Sequence, residues 1–172
     1  MTALPIDMVS DVVCPWCFIG KRRLEKAIAQ RVAQAAAAEG LTYNLDKIKR
    51  QPNTLDCHRL ILWAGEEAAG MKQRLMQLYF AEGGDLTDRE VLVTAAAECG
   101  LDAEHVRELL AGTDDVERVT RDADSAKEAG IDGVPCFILG GRIAVQGAQA
   151  PEYLAQAIAR AANERAEQRA AS

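Results

Sequence analysis

Ile6-Asp7-Met8-Val9-Ser10-Asp11-Val12-Val13-Cys14-Pro15-Trp16-Cys17 joins an apolar run to the start of a helical pattern, and its last four residues decide how the chain is read. Ile6 to Val13 reads as a buried strand, and the helix opens directly behind it. Cysteines three apart at that point lie one helical turn from each other, close enough to close a ring. The first backbone N–H groups of a helix lack intrahelical partners, and the macrodipole adds partial positive charge. A thiolate at Cys14 is therefore stabilised and is expected to form below the ordinary thiol range. Pro15 suits the first turn, which has no use for its missing N–H. The motif points to a redox-active dithiol. Its alternatives are a structural disulfide and half of a zinc site. Zinc needs two further ligands at a recognisable spacing. Cys57-His58 is the candidate cluster, and adjacent residues fit that spacing poorly, so no metal is expected.

Bulk properties agree with a globular enzyme. A length of 172 residues argues for one domain, or one domain carrying an insertion, and 49% apolar residues suffice for a buried core. A net charge of −6 and a pI near 5.0 argue against a nucleic-acid surface or an anionic membrane as partner. No stretch approaches the roughly 18 apolar residues of a membrane span. Met1 to Val9 carries an acid and no base, unlike a secretory signal. Five cysteines, an odd count, suggest a reducing compartment, and the expected location is cytoplasmic.

Along the chain, Phe18 to about Glu39 is rich in Ala, Leu, Lys, Arg and Gln and reads as one helix ended by Gly40. Pro52-Asn53-Thr54 marks a stop and restart. Leu55 to Ala69 reads as a helix ending near Gly70, and Met71 to Phe80 as another, closed by Gly83-Gly84. Met71, Leu75, Met76 and Phe80 are expected in the core, with an apolar peptide-binding face as the alternative. Thr87 is placed to cap a helix from Asp88 to Cys99, with Glu90 completing a capping box. Asp102 caps a short helix to Ala111, and Asp114 caps one running to Ala129. The period then changes: Cys136 to Leu139 and Arg142 to Gln146 flank Gly140-Gly141, the pattern of a hairpin. Pro151 begins a closing helix whose tail past Asn163 is expected to fray.

Gly133-Val134-Pro135-Cys136-Phe137 is the second informative stretch. A proline heading an interior strand gives up a ladder donor and needs a reason. In dithiol oxidoreductases that reason is a cis-proline whose preceding residue offers backbone groups to a bound peptide. X–Pro bonds are the ones that tolerate cis geometry. An ordinary trans proline at a strand start is the alternative.

Residues 6–20 resemble the opening of the FrnE-type branch of the DsbA-like thioredoxin-fold oxidoreductases. So do Pro52-Asn53-Thr54-Leu55-Asp56, His58-Arg59-Leu60, and Gly130 to Phe137 followed by Gly147-Ala148-Gln149. The resemblance implies an α/β, thioredoxin-like fold with an all-helical insertion: residues 1–30 and 115–172 forming the thioredoxin-like domain and 31–114 the insertion. It also implies cytoplasmic dithiol–disulfide oxidoreductase or isomerase activity, often in dimers. Related 2-hydroxychromene-2-carboxylate isomerases and kappa-class glutathione transferases usually carry serine where this chain has Cys14, so the intact dithiol favours the redox branch. One departure stands out. The family follows its active-site helix with a second strand and a long connection, whereas here Lys21 to Gln30 runs straight into Arg31 to Glu39. The expected sheet is shortened by that edge strand to three strands, with the Ile6–Val13 strand at an exposed edge.

Roles follow residue by residue. Cys14 is the expected attacking thiolate, and Cys17, expected to lie deeper, resolves the mixed disulfide. Pro15 and Trp16 tune the couple and shape the rim, while Val134 and Pro135 hold the substrate segment. Asp11 is a candidate proton relay, with a loop or capping acid as its plainer reading, and Cys136 is a candidate third redox thiol or a small buried hydrophobe. Cys57 and Cys99 read as buried fillers, and His58 and His105 as solvated or capping. The expected partner is a disulfide-containing protein or small molecule. No cofactor beyond the dithiol is expected, with glutathione as a candidate co-substrate. Two other readings stand beside this one: a non-catalytic binding or assembly module, and a glutathione-dependent isomerase or transferase.

Overall fold

The computed structural model describes residues 8–9 and 13–170. The strand expected over Ile6 to Val13 falls mostly outside them. Met8 and Val9 have no regular structure, and Val13 lies in a turn. The described residues divide into two compact units, one up to Arg121 and one from Asp122 onward. Each has its own logic.

The first unit opens with α1, Pro15–Ala38, 24 residues without interruption, roughly 36 Å long at 1.5 Å per residue. Its stop is made by the backbone. Gly40, at φ +69°, donates to the Ala37 carbonyl, and the Leu41 N–H reaches back to Ala36 at 2.9 Å. A left-handed residue closing those two bonds is the ordinary way to end a helix.

Four short helices then build the core: α2, Leu55–Trp63, α3, Ala68–Gln77, α4, Arg89–Glu98, and α5, Ala103–Ala111. The sixth helix, α6, Val116–Glu128, leaves the unit. Leu60, Met71, Leu92, Val106 and Leu110 are the largest fully buried apolar side chains of the cluster that α2–α5 enclose. The helix expected to reach Gly70 is corrected: it breaks at Gly65, whose φ of +55° turns the chain into a 3-10 turn over Gly65–Glu67. Gly70 lies inside α3 instead. A left-handed residue is a common way to turn the chain out of a helix, and Gly65 supplies it.

Met71 and Leu75 are core residues as expected, but Met76 and Phe80 are exposed. Positions 71 and 75 share one helical face, and 76 turns away from it. Phe80 sits in a π turn, Leu78–Glu82, at the end of α3, stacked on Tyr43 at 5.6 Å and edge-on to Tyr79. Gly83 ends this turn at φ +76°, and a Cβ there would lie 2.3 Å from Lys47 Cβ. The cap of α4 is Asp88, which accepts from the Glu90 N–H, and not Thr87, whose hydroxyl donates to Asp85. Asp102 caps α5 as expected, accepting from the His105 N–H at 2.7 Å. Asp114 does not cap α6 with its side chain; its carbonyl accepts from Arg59.

Arg59 holds these helix ends together. It is fully buried and donates to Asp56, to the Asp114 and Gly112 carbonyls, and to the Leu109 carbonyl at the end of α5. Its guanidinium lies 4.8 Å above the Trp63 ring, and the Trp63 N–H donates to Asp115. A planar fork with five donors suits a site where several carbonyls converge.

In the second unit, α6 ends at Gly130, φ +81°. Strands β1, Cys136–Leu139, and β2, Ile143–Gln146, pair antiparallel from Cys136↔Gln146 to Leu139↔Ile143. Gly140 and Gly141 both have positive φ, the conformation tight hairpin turns require. Helix α7, Pro151–Ala170, packs along both strands and stays helical past Asn163, where fraying was expected. Alanine, arginine and glutamine keep its propensity high, and Arg160 pairs with Glu164 one turn on. Among the described residues the sheet has these two strands.

Candidate active site

Cys14 is the N-cap of α1, extended at φ −85° and ψ 114°, with Pro15 in the first helical position. The Cys17 amide donates to the Cys14 carbonyl at 3.1 Å. No first-turn amide makes a close cap bond to the sulfur, yet their field acts on it. The Cys17 amide, then the Cys17 thiol and the Trp16 amide, hold the Cys14 thiol below its ordinary range, against a smaller opposing effect of burial. This is the effect expected of a thiol at a helix N-terminus. Both thiols are half-buried, while Trp16 beside them is 74% exposed. Asp11 lies outside the described residues.

The second unit carries the other expected stretch. The Val134–Pro135 peptide is cis. The Pro135 carbonyl accepts from the Gly147 N–H at 2.8 Å, and Gln149 donates its side-chain N–H to the Gln146 carbonyl. Gly147-Ala148-Gln149 thus serves as a brace for the proline. The sequence singled out this tripeptide but gave it no task. Among the described residues neither backbone group of Val134 has a hydrogen-bond partner, and its side chain is 91% exposed. A residue with a free N–H and C=O beside a strand start is able to bond to the backbone of another chain. Cys136, first in β1, is half-buried.

The remaining cysteines differ from Cys14. Burial, helped by the Asp56 charge, pushes the Cys57 thiol up to about 11, and burial also raises Cys99, which is only half-buried. Neither is poised to be a nucleophile at neutral pH. His58 and His105 are exposed on α2 and α5. Among the described residues no group of three or more His, Cys, Asp or Glu is placed to hold a metal ion, and no helix is long and apolar enough to cross a membrane.

A helix-capping dithiol and a braced cis-proline hairpin in a helix-rich α/β chain define a class, the thioredoxin-like proteins. Comparison with known proteins narrows it. The pattern of the DSBA-like thioredoxin domain matches residues 5–35 and 26–159, and the chain belongs to that family. Its fold is the DsbA-like thioredoxin fold with a helical insertion. The chain is similar to the uncharacterised protein YwbO of Bacillus subtilis (strain 168), 26% identical over 191 positions that take in 89% of this chain and 94% of that one. It also superposes on the crystal structure of a probable DsbA oxidoreductase from Streptomyces coelicolor, with a TM-score of 0.74 and 34% identity over 83% of this chain. The match covers 62% of the length of that protein.

Proposed function

We propose that this chain is a cytoplasmic thiol–disulfide oxidoreductase or isomerase of the FrnE-type branch, working through Cys14 and Cys17 on disulfides of proteins or small molecules. The observation that carries the reading is Cys14 at the N-cap of α1, its thiol held below the ordinary range by the Cys17 and Trp16 amides and the Cys17 thiol. The Cys14 thiolate attacks one sulfur of a substrate disulfide. The Cys14–substrate S–S bond forms, the substrate S–S bond breaks, and the departing thiolate takes a proton from solvent. Cys17, deprotonated, then attacks Cys14 sulfur, which releases the second substrate thiolate and leaves a Cys14–Cys17 disulfide. Two electrons have passed from the dithiol to the substrate, and the reverse sequence oxidises a substrate dithiol. Glutathione is a suitable co-substrate for returning the pair to its reduced form. Pro15 and Trp16 shape the rim. Val134 and Pro135 hold the substrate segment through the unpaired backbone groups of Val134. Cys136 and Asp11 are accessory at most.

The helical insertion is assigned to residues 31–114, with 1–30 and 115–172 as the thioredoxin-like part. Two facts support the loss of a second strand region after the active-site helix. The two stretches matched by the family pattern overlap within α1, and the alignment with YwbO runs over 191 positions although this chain has 172 residues. The same shortening favours a second reading, a binding or assembly module, including a homodimer, whose site no longer turns over. Single serine variants separate the two. Cys14→Ser is expected to abolish disulfide reduction, and Cys17→Ser to accumulate mixed disulfides visible on non-reducing gels. Full turnover by Cys14→Ser, or no trapped species with Cys17→Ser, would remove the dithiol mechanism.

A further inference from the structure

The helical unit contains a cavity of about 290 Å³ that the dithiol chemistry does not use. Helix α2 has two working faces. Asp56, Arg59 and Trp63, at helical intervals, serve the knot around Asp114 and Asp115. Thr54, Cys57, His58 and Ile61, on the other face, line the cavity. Its buried floor is Cys57, Leu75 and Leu86, and Tyr79 and Phe80 contribute aromatic surface.

Among the residues that line this opening the charged side chain is a cation, Lys72. Lys72 and His58 line it, both exposed, and no carboxylate does. Among the described residues neither side chain makes a hydrogen bond or ion pair, whereas Arg59, Arg74, Arg89 and Arg107 each have a carboxylate partner. Lys26 and Lys47 also lack a side-chain partner among the described residues; Lys72 differs from them in standing at the rim of an apolar cavity. Ligand sites generally combine such an apolar body with a few polar groups that fix orientation. The volume, that of about ten water molecules at roughly 30 Å³ each, limits the ligand to a small molecule.

We propose that this cavity binds a small apolar carboxylate, its hydrocarbon part on Cys57, Ile61, Leu75 and Leu86 and its head group at Lys72 and His58. The assignment is independent of the redox reading. Octanoate and 1-octanol, titrated into the full chain by calorimetry, test it. Octanoate is expected to saturate with a Kd near or below about 1 mM. Lys72→Glu, at an exposed position, should weaken octanoate by about fivefold, the top of the range for an exposed ion pair, and leave octanol within twofold. Met76→Trp, which fills the rim from an exposed position, should weaken both ligands. No saturable octanoate binding below its micelle-forming concentration would overturn the proposal. So would a Lys72→Glu effect equal for the two ligands, or octanoate binding indifferent to Met76→Trp.

Discussion

Replacing Arg59 with leucine would remove the donor shared by the ends of α2, α5 and the turn before α6. The side chain is fully buried, and its guanidinium meets the Asp114 carbonyl at 2.7 Å, Asp56 at 2.8 Å and the Gly112 carbonyl at 3.2 Å, besides the Leu109 carbonyl. Hydrogen bonds to a charged group contribute about 1.5–3 kcal/mol each. The loss is below their sum, because Gly112 and Asp114 are exposed and water can reach their carbonyls, and Asp56 keeps Arg89 at 3.4 Å. The expected cost is about 3–5 kcal/mol, the range for removing one partner of a buried pair. With a urea slope of about 1–3 kcal/mol/M, the midpoint falls by roughly 2 M. Urea titration followed by far-UV circular dichroism measures this directly. Arg59→Lys keeps the charge without the planar fork and should fall in between. A midpoint shift for Arg59→Leu within the error of the titration would refute the view that this side chain holds the helical unit together.

Gly83→Ala should destabilise by more than the roughly 1 kcal/mol of an ordinary glycine-to-alanine mismatch, because the new Cβ would meet the Lys47 backbone as well as its Cβ; a stability equal to the parent in the same titration would contradict the close approach. Asp102→Ala removes the α5 cap and should cost about 1 kcal/mol without changing the alkylation rate of Cys14. Iodoacetamide mapping against pH should show Cys14 reacting with a midpoint below that of an ordinary thiol, while Cys57 stays unmodified until the pH nears 11. Cys57 also links to stability. The unfolded thiol ionises near 8.5 and the folded one at about 11, so between those values the fold holds more protons and stability declines as pH rises. The decline is on the order of 1–3 kcal/mol, with solvent in the adjoining cavity screening part of it. A Cys57→Val protein that keeps the same alkaline slope would assign the effect elsewhere.

The parts legible in the sequence were those written locally. The dithiol at a helix start, the glycine that ends α1, the Asp102 cap and the Gly140-Gly141 hairpin each depend on a few adjacent residues. The sequence is ambiguous where two neighbours can do one job. Thr87 and Asp88 are both capable caps, and Asp85 decides between them by engaging the Thr87 hydroxyl. Gly65 and Gly70 are both credible helix ends, and only backbone conformation separates them. Arg59 was unreadable for a different reason: its burial depends on carbonyls 50 to 55 positions away, and an arginine in a helical pattern normally reads as solvated. The brace on Pro135 was half legible. Gly147-Ala148-Gln149 stood out as a motif, but its bond to the proline carbonyl appears only when the hairpin closes.

The central claim is a working two-electron couple at Cys14 and Cys17. Equilibration in graded glutathione buffers, scored by thiol mass tagging at each cysteine, tests it most directly. The account predicts that Cys14 and Cys17 change together in one transition, near about −270 mV for a reductase or above about −200 mV for an oxidant or isomerase, while Cys57 stays reduced throughout. Independent tagging of Cys14 and Cys17, or no transition across the buffer series, would contradict it.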